Sequence, residues 1–83
     1  MNSKMFFIYI LCSLEDRYYY VGSCQNIEVR LNQHNRMLVK STKSHVPWEL
    51  VYKESFLTLA EARKRELQIK SWKKRGAIEK ILK

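Results

Sequence analysis

Asp16 is the only aspartate among 83 residues, and the seven glutamates are scattered rather than clustered. A nuclease that clamps a phosphate between two metal ions needs several carboxylates converging on one point. This chain is poorly supplied for that. Cysteine is also scarce. Cys12 and Cys24 stand alone, with no C-x-x-C or H-x₃-H spacing to pair with His34 and His45 in a zinc site. With no secretory leader they read as core or near-core thiols of a reducing compartment, and a cytoplasmic location is expected. The longest apolar run, Met5 to Cys12, falls far short of the roughly 18 residues a membrane span needs, so no membrane partner is expected. Repeats, low-complexity tracts and linkers are absent. A single small domain over residues 1–83 is expected, with 46% hydrophobic content to fill its core.

Positive charge is what the chain has in excess. Sixteen Lys and Arg face eight acids, a net charge of +8. A soluble domain so charged points to a polyanionic partner, with nucleic acid the default and a merely solvated basic surface the plain alternative. The density peaks between Arg63 and Lys83, where nine bases accompany two acids.

Two short Tyr-bearing segments, Phe7 to Leu11 and Tyr18 to Gly22, read as strands joined by a polar turn from Ser13 to Arg17. Met5 to Leu11 is apolar on both alternation faces, which predicts a central strand covered on both sides. The turn holds no glycine, so a two-residue type I′ connection is disfavoured and the register stays open. Tyr9 and Tyr20 share a face only if paired positions sum to an odd number, as with Tyr9 opposite Tyr20. Gly22 and Ser23 are expected to break the second strand.

Asn26 is positioned to cap a helix from Ile27 to Arg36, with Glu28 favourable in its first turn. Helical spacing puts Ile27, Arg30, Leu31 and His34 on one side. A base and an imidazole thus share a face with the apolar anchors, an arrangement a purely structural helix seldom uses. Met37 to Val46 reads as a basic loop ended by Pro47. Trp48 to Phe56 alternates with period two and predicts a third, half-exposed strand with Trp48, Leu50, Tyr52 and Phe56 on one face. Thr58 caps a second helix, from Leu59 to about Arg75, whose apolar stripe is Leu59, Ala62, Ile69 and Trp72. Glu66 falls inside that stripe. A buried carboxylate is costly unless paired or metal-bound, and the plain alternative is an ion pair with Lys70 one turn on. Gly76 reads as the C′ residue of this helix, and Ala77 to Leu82 as a last short helix.

Phe7-Ile8-Tyr9 and Tyr20-Val21-Gly22 resemble the two halves of the GIY-YIG signature. Arg30 and His34 match the spacing of that family's basic helix, and Ala62 to Lys70 resembles its Ala-x-x-x-Glu-x-x-x-Lys segment. The resemblance runs from Phe6 to about Lys74. Within the family the chain is similar to the small stand-alone bacterial group related to the nuclease domain of the excinuclease C subunit. The resemblance implies an α+β fold, a three-stranded antiparallel sheet flanked by helices in the order ββαβαα. It also implies a metal-dependent endonuclease acting on DNA ahead of RNA, with a place in DNA repair or recombination. One Mg²⁺ or Mn²⁺ would be held by Glu66. Tyr9 and Tyr20 would orient and deprotonate the attacking water, Arg30 would steady the charged transition state, and His34 would assist proton transfer or bind phosphate.

Phe7 replaces the signature's Gly, and Ser23 stands where some members carry Lys. No accessory DNA-binding domain is expected, so weak sequence specificity follows. The residues expected to touch nucleic acid are Arg36, Lys40, Thr42, Lys43, His45, Arg63, Lys70, Lys73 and Lys74. Tyr18 and Tyr19 are expected to pack or stack on substrate. A non-catalytic nucleic-acid-binding module is the alternative, and a protein partner or homo-oligomer stays open.

Overall fold

The computed structural model describes residues 4–72 and 74–82. Its elements run β1 (Phe6–Ser13), β2 (Tyr19–Cys24), α1 (Ile27–Asn35), a short 3₁₀ turn (Lys43–His45), β3 (Trp48–Phe56), α2 (Leu59–Lys70) and α3 (Arg75–Ile81). The strands form one antiparallel sheet in the order β2-β1-β3. The fold is α+β in the expected order ββαβαα, and β1 is the covered central strand its composition predicts.

The two faces of β1 serve two clusters. Ile8 and Ile10 pack with Val21, Ala62, Ile69 and Ile78, so α2 and α3 lie on that face. Tyr9 and Leu11 pack with Trp48, Ile27 and Leu31, so α1 lies on the other. Among the described residues, ten from β1, β2, β3, α2 and α3 form the buried apolar set, including Ile8, Ile10 and Leu11 at zero exposure. At roughly 1.5–3 kcal/mol for each large side chain fully buried, these strand residues dominate the driving force.

The hairpin turn works without glycine because Arg17 itself adopts the left-handed conformation, φ 65°. Ser13 holds the turn from inside. Its buried hydroxyl accepts from the Glu15 and Asp16 amides at 3.1 and 3.2 Å and donates to the His45 carbonyl at 2.6 Å. The register pairs Tyr9 with Gly22, an odd sum, so Tyr9 and Tyr20 do share a face. Tyr20 itself stands opposite Leu11, one pleat along from Tyr9. Gly22 does not break β2. The strand passes through it to Cys24.

Three further boundaries differ from the sequence pattern. β3 carries a bulge at Val51: Ile10 pairs with Tyr52 and Leu11 with Leu50. One inserted residue reverses the alternation. Trp48 and Leu50 therefore face α1, while Tyr52 and Phe56 join the opposite cluster. α1 stops at Asn35 with Arg36 as its cap, because Met37 turns left-handed at φ 62°. α2 ends at Lys70, five residues before Arg75. The Ser71 hydroxyl caps it by donating to the Gln68 carbonyl at 2.6 Å, and Trp72 turns in onto the core. Gly76 then sits in the first turn of α3, not at the end of α2. That early break lets α3 lay Ile78 and Ile81 on the same core.

Candidate active site

β2 is an edge strand, and the site wraps around that edge. Tyr9, Tyr20 and Arg30 belong to the α1 side of the sheet, whereas Glu66 stands on α2, on the other side. They meet beside Gly22 and Ser23, the two smallest side chains of β2. Together with Arg63 and Leu67 they line one open cavity of about 390 Å³. Tyr9, Tyr20, Arg30 and Glu66 are thus brought together. His34 touches the site from behind, through Tyr9.

Gly22 makes the floor. A Cβ there would lie 2.5 Å from the Tyr9 hydroxyl oxygen and 2.7 Å from Cζ. The phenol occupies the space a side chain would take, and only glycine permits it. Ser23 alternates to the other face and donates its hydroxyl to Glu66 Oε1 at 2.7 Å. Ser23, one of the two departures from the signature, thus helps to orient the carboxylate. Lys70 holds the second oxygen, Oε2, at 2.6 Å. The ion pair expected as the plain alternative is real, and it coexists with the placement of Glu66 in the cavity. Lys70 is 46% exposed against 17% for Glu66, so the carboxylate is the more buried partner.

Behind the tyrosines lies a buried polar line. Tyr9 Oη is 3.0 Å from His34 Nε2, and His34 Nδ1 is 2.8 Å from Thr42 Oγ1. His34 is wholly buried and Thr42 and Tyr9 nearly so. Tyr20 packs on the His34 ring, centroids 4.9 Å apart, and lies 6.3 Å from the Tyr9 ring. Burial pushes the Tyr9 phenol well above its ordinary range, and the neighbouring Arg30 guanidinium only partly offsets this. Burial, with Arg30 adding repulsion, holds His34 down at about 4. The imidazole is neutral at pH 7 and the phenol protonated. Arg30 is itself steadied by donating to Gln33 Oε1 at 2.9 Å.

The residues expected on nucleic acid divide. Arg63 lines the cavity. Arg36, Lys40 and Lys43 are exposed on α1 and its following loop. Lys70 and Lys74 line a second concavity of about 380 Å³ with Tyr18, Tyr19, Trp72 and Arg75. There Arg75 stacks over Tyr19 at 4.4 Å. Lys73 lies outside the described residues. Thr42 is a correction. It is 1% exposed, with its hydroxyl committed to His34 and to the Val39 carbonyl, and cannot reach substrate. His45 is also engaged, at 2.5 Å from Asp16 and stacked on Tyr18 with centroids 4.7 Å apart. Loop composition alone cannot separate a threonine that folds inward from one that faces solvent. The roles of Gly22, Ser23 and Thr42 came into view only with the register and the burial.

The GIY-YIG catalytic domain model matches residues 5–80. The chain belongs to the GIY-YIG family. Its relatives are small bacterial proteins of nearly the same extent. A UPF0213 protein of Staphylococcus epidermidis is 36% identical over 76 residues, covering 90% of this chain and 92% of that protein. A UPF0213 protein of Staphylococcus aureus is 38% identical over 77 residues with the same coverage. The solution NMR structure of UPF0213 protein BH0048 from Bacillus halodurans superposes with a TM-score of 0.57. At 24% identity, over 93% of this chain and 82% of that one, it shows that the two share a fold.

The donor set of this GIY-YIG site suits a cation held mainly by water and substrate. Among the described residues no three His, Cys, Asp or Glu cluster, so no all-protein cage exists. One carboxylate facing an open cavity is how Mg²⁺ is commonly taken up, through one or two carboxylates plus substrate phosphate. Glu66 fits that description, and Lys70 on Oε2 is the cation that such an ion would displace.

Proposed function

We propose that this GIY-YIG chain is an endonuclease that hydrolyses phosphodiester bonds of DNA with the help of one Mg²⁺ or Mn²⁺ ion. Sequence specificity would be weak, and DNA repair or recombination the setting. The observation that carries this reading is the convergence of Tyr9, Tyr20, Arg30 and Glu66 on one cavity from both sides of the sheet.

Glu66 would hold the ion, which when bound neutralises phosphate charge and the leaving oxygen. Arg30 clamps the scissile phosphate and stabilises the charge that grows on it in the transition state. Tyr20, packed on His34, positions the attacking water. Tyr9 is too firmly protonated to rest as a phenolate. It acts as a shuttle instead, taking the water proton at Oη while passing its own proton to His34 Nε2. No free phenolate forms, and His34 ends the step as imidazolium. Arg63 at the cavity rim and the exposed Arg36, Lys40 and Lys43 grip the backbone.

One observation favours the alternative of a non-catalytic binding module: Lys70 neutralises Glu66 in the resting structure. Purified protein incubated with branched, nicked, single-stranded and duplex DNA, and with RNA, separates the two. The nuclease cuts with Mg²⁺ or Mn²⁺ and stops on EDTA or with Glu66→Ala. The binding module shows salt-sensitive binding that neither treatment alters, and no cleavage.

A further inference from the structure

Thr42 lies in the loop after α1, at 1% exposure, away from the cavity that holds the reacting groups. The loop is anchored at this residue. Its carbonyl accepts the Trp48 indole N–H at 3.0 Å, and its amide donates to the Val39 carbonyl at 3.1 Å. Its hydroxyl is 3.3 Å from the same Val39 carbonyl and 2.8 Å from His34 Nδ1.

A hydroxyl has one proton to give and lone pairs to receive with. A carbonyl only accepts. With the Thr42 proton on the Val39 carbonyl, the lone pair toward His34 meets an N–H on Nδ1. Nε2 is then bare and accepts from the Tyr9 hydroxyl at 3.0 Å. The far end agrees, because Arg30, which lines the cavity with Tyr9, can only donate and offers the phenol proton no competing acceptor. The His34 and Thr42 part of the line is closed to solvent, at zero and 1% exposure, so no bulk water competes for the imidazole nitrogens.

We infer that Thr42 is a positioning residue that fixes His34 in its Nδ1–H tautomer, so that Nε2 is free to take the Tyr9 proton. Directional order then runs from Tyr9 through His34 and Thr42 to the Val39 carbonyl. This rests on the shuttle role given to Tyr9 above, but its first test needs no turnover. In the step the water proton passes to Tyr9 Oη and the Tyr9 proton to His34 Nε2, while Thr42 keeps its own throughout.

The test is nitrogen-15 NMR of the imidazole rings near pH 7. The chain has two histidines, and His45→Gln identifies the His34 signals. The wild type should show a protonated Nδ1 and a bare Nε2. Thr42→Ser should keep that pattern, and Thr42→Val should shift His34 toward the Nε2–H form. Cleavage, measured in parallel, should fall by roughly ten- to hundredfold in Thr42→Val and recover in Thr42→Ser. An Nε2–H tautomer in the wild type overturns the inference. So does an unchanged tautomer in folded Thr42→Val, or its loss in Thr42→Ser. If Thr42→Val does not fold, the wild-type and Thr42→Ser spectra still decide. Tautomers as expected with no cleavage by any protein would leave the positioning role standing and remove the nuclease reading instead.

Discussion

Gly22 stands directly opposite Tyr9 in the β1–β2 ladder, and the Tyr9 hydroxyl fills the space a Gly22 side chain would need. That relationship joins the second half of the signature to the first. The glycine is there for the phenol, not for a turn. Gly22→Ala should displace the Tyr9 ring and break its 3.0 Å bond to His34. We expect cleavage to be lost, with a stability cost of about 1–3 kcal/mol from overpacking. Urea unfolding alongside a nicking assay measures both, and full activity in a stable Gly22→Ala protein would show that the phenol's placement is immaterial.

His34 makes stability pH-dependent. Its pKa falls from an ordinary 6.5 to about 4 in the folded chain. The unfolded chain thus binds a proton first as pH drops, and the folded state loses ground. The contribution is complete above about pH 6.5 and is lost progressively as pH falls toward 4, roughly 3 kcal/mol in all. Urea unfolding at pH 7.5, 6 and 5 in a His45→Gln background isolates it. In that background Asp16 has lost the His45 bond that holds its carboxyl low, and Glu54, where burial raises the carboxyl but the bonds from Arg65 and Tyr52 outweigh it, loses stability in the same direction but further into acid. Stability that is flat from pH 7.5 to 5 would mean His34 is not buried neutral.

Arg65 offers a contrast. It stands one residue before Glu66 but clasps Glu54 on β3 through two bonds, of 2.9 and 3.0 Å, away from the cavity. Arg65→Lys would lose the two-pronged geometry. We expect about 1 kcal/mol or less of destabilisation, because both partners are about a quarter exposed, and unchanged cleavage. Strongly reduced cleavage at full stability would place Arg65 in the site.

Lys70 competes for Glu66. Removing its charge with Lys70→Met should free Oε2 and lower the Mg²⁺ concentration needed for half-maximal cleavage. A titration of rate against Mg²⁺ reads this directly. A higher requirement would show that Lys70 serves substrate more than it restrains the carboxylate.

Much of the fold was legible because β1 is short, apolar on both faces and so central, and because Asn26 and Thr58 cap the helices they precede. The parity of the hairpin stayed open, because a turn without glycine fixes no register, and the structure decides it by pairing Tyr9 with Gly22. Alternation failed in β3, where the bulge at Val51 exchanges faces without any Gly or Pro to announce it. It failed again after Lys70, where helical periodicity runs on through Trp72 although the chain has already turned. That Tyr9, Tyr20, Arg30 and Glu66 belong together was suggested by their resemblance to the family signature, and the four do line one cavity. Thr42 was not legible, since a polar residue in a basic loop gives no sign that it folds under the surface. Gly22 and Ser23 were misread for a related reason. Small residues in a strand look like interruptions until the register shows what occupies the space they leave.

The central claim is that residues from both faces of the sheet form one catalytic unit at the edge of β2. Glu66→Gln tests it most directly, because the substitution keeps the side chain's size while removing the charge. Nicking of a DNA substrate in Mn²⁺ should fall at least a hundredfold, on the order expected for loss of a metal-held charge, while DNA binding measured in the same buffer stays within a few-fold. Equal nicking by wild type and Glu66→Gln would contradict the account.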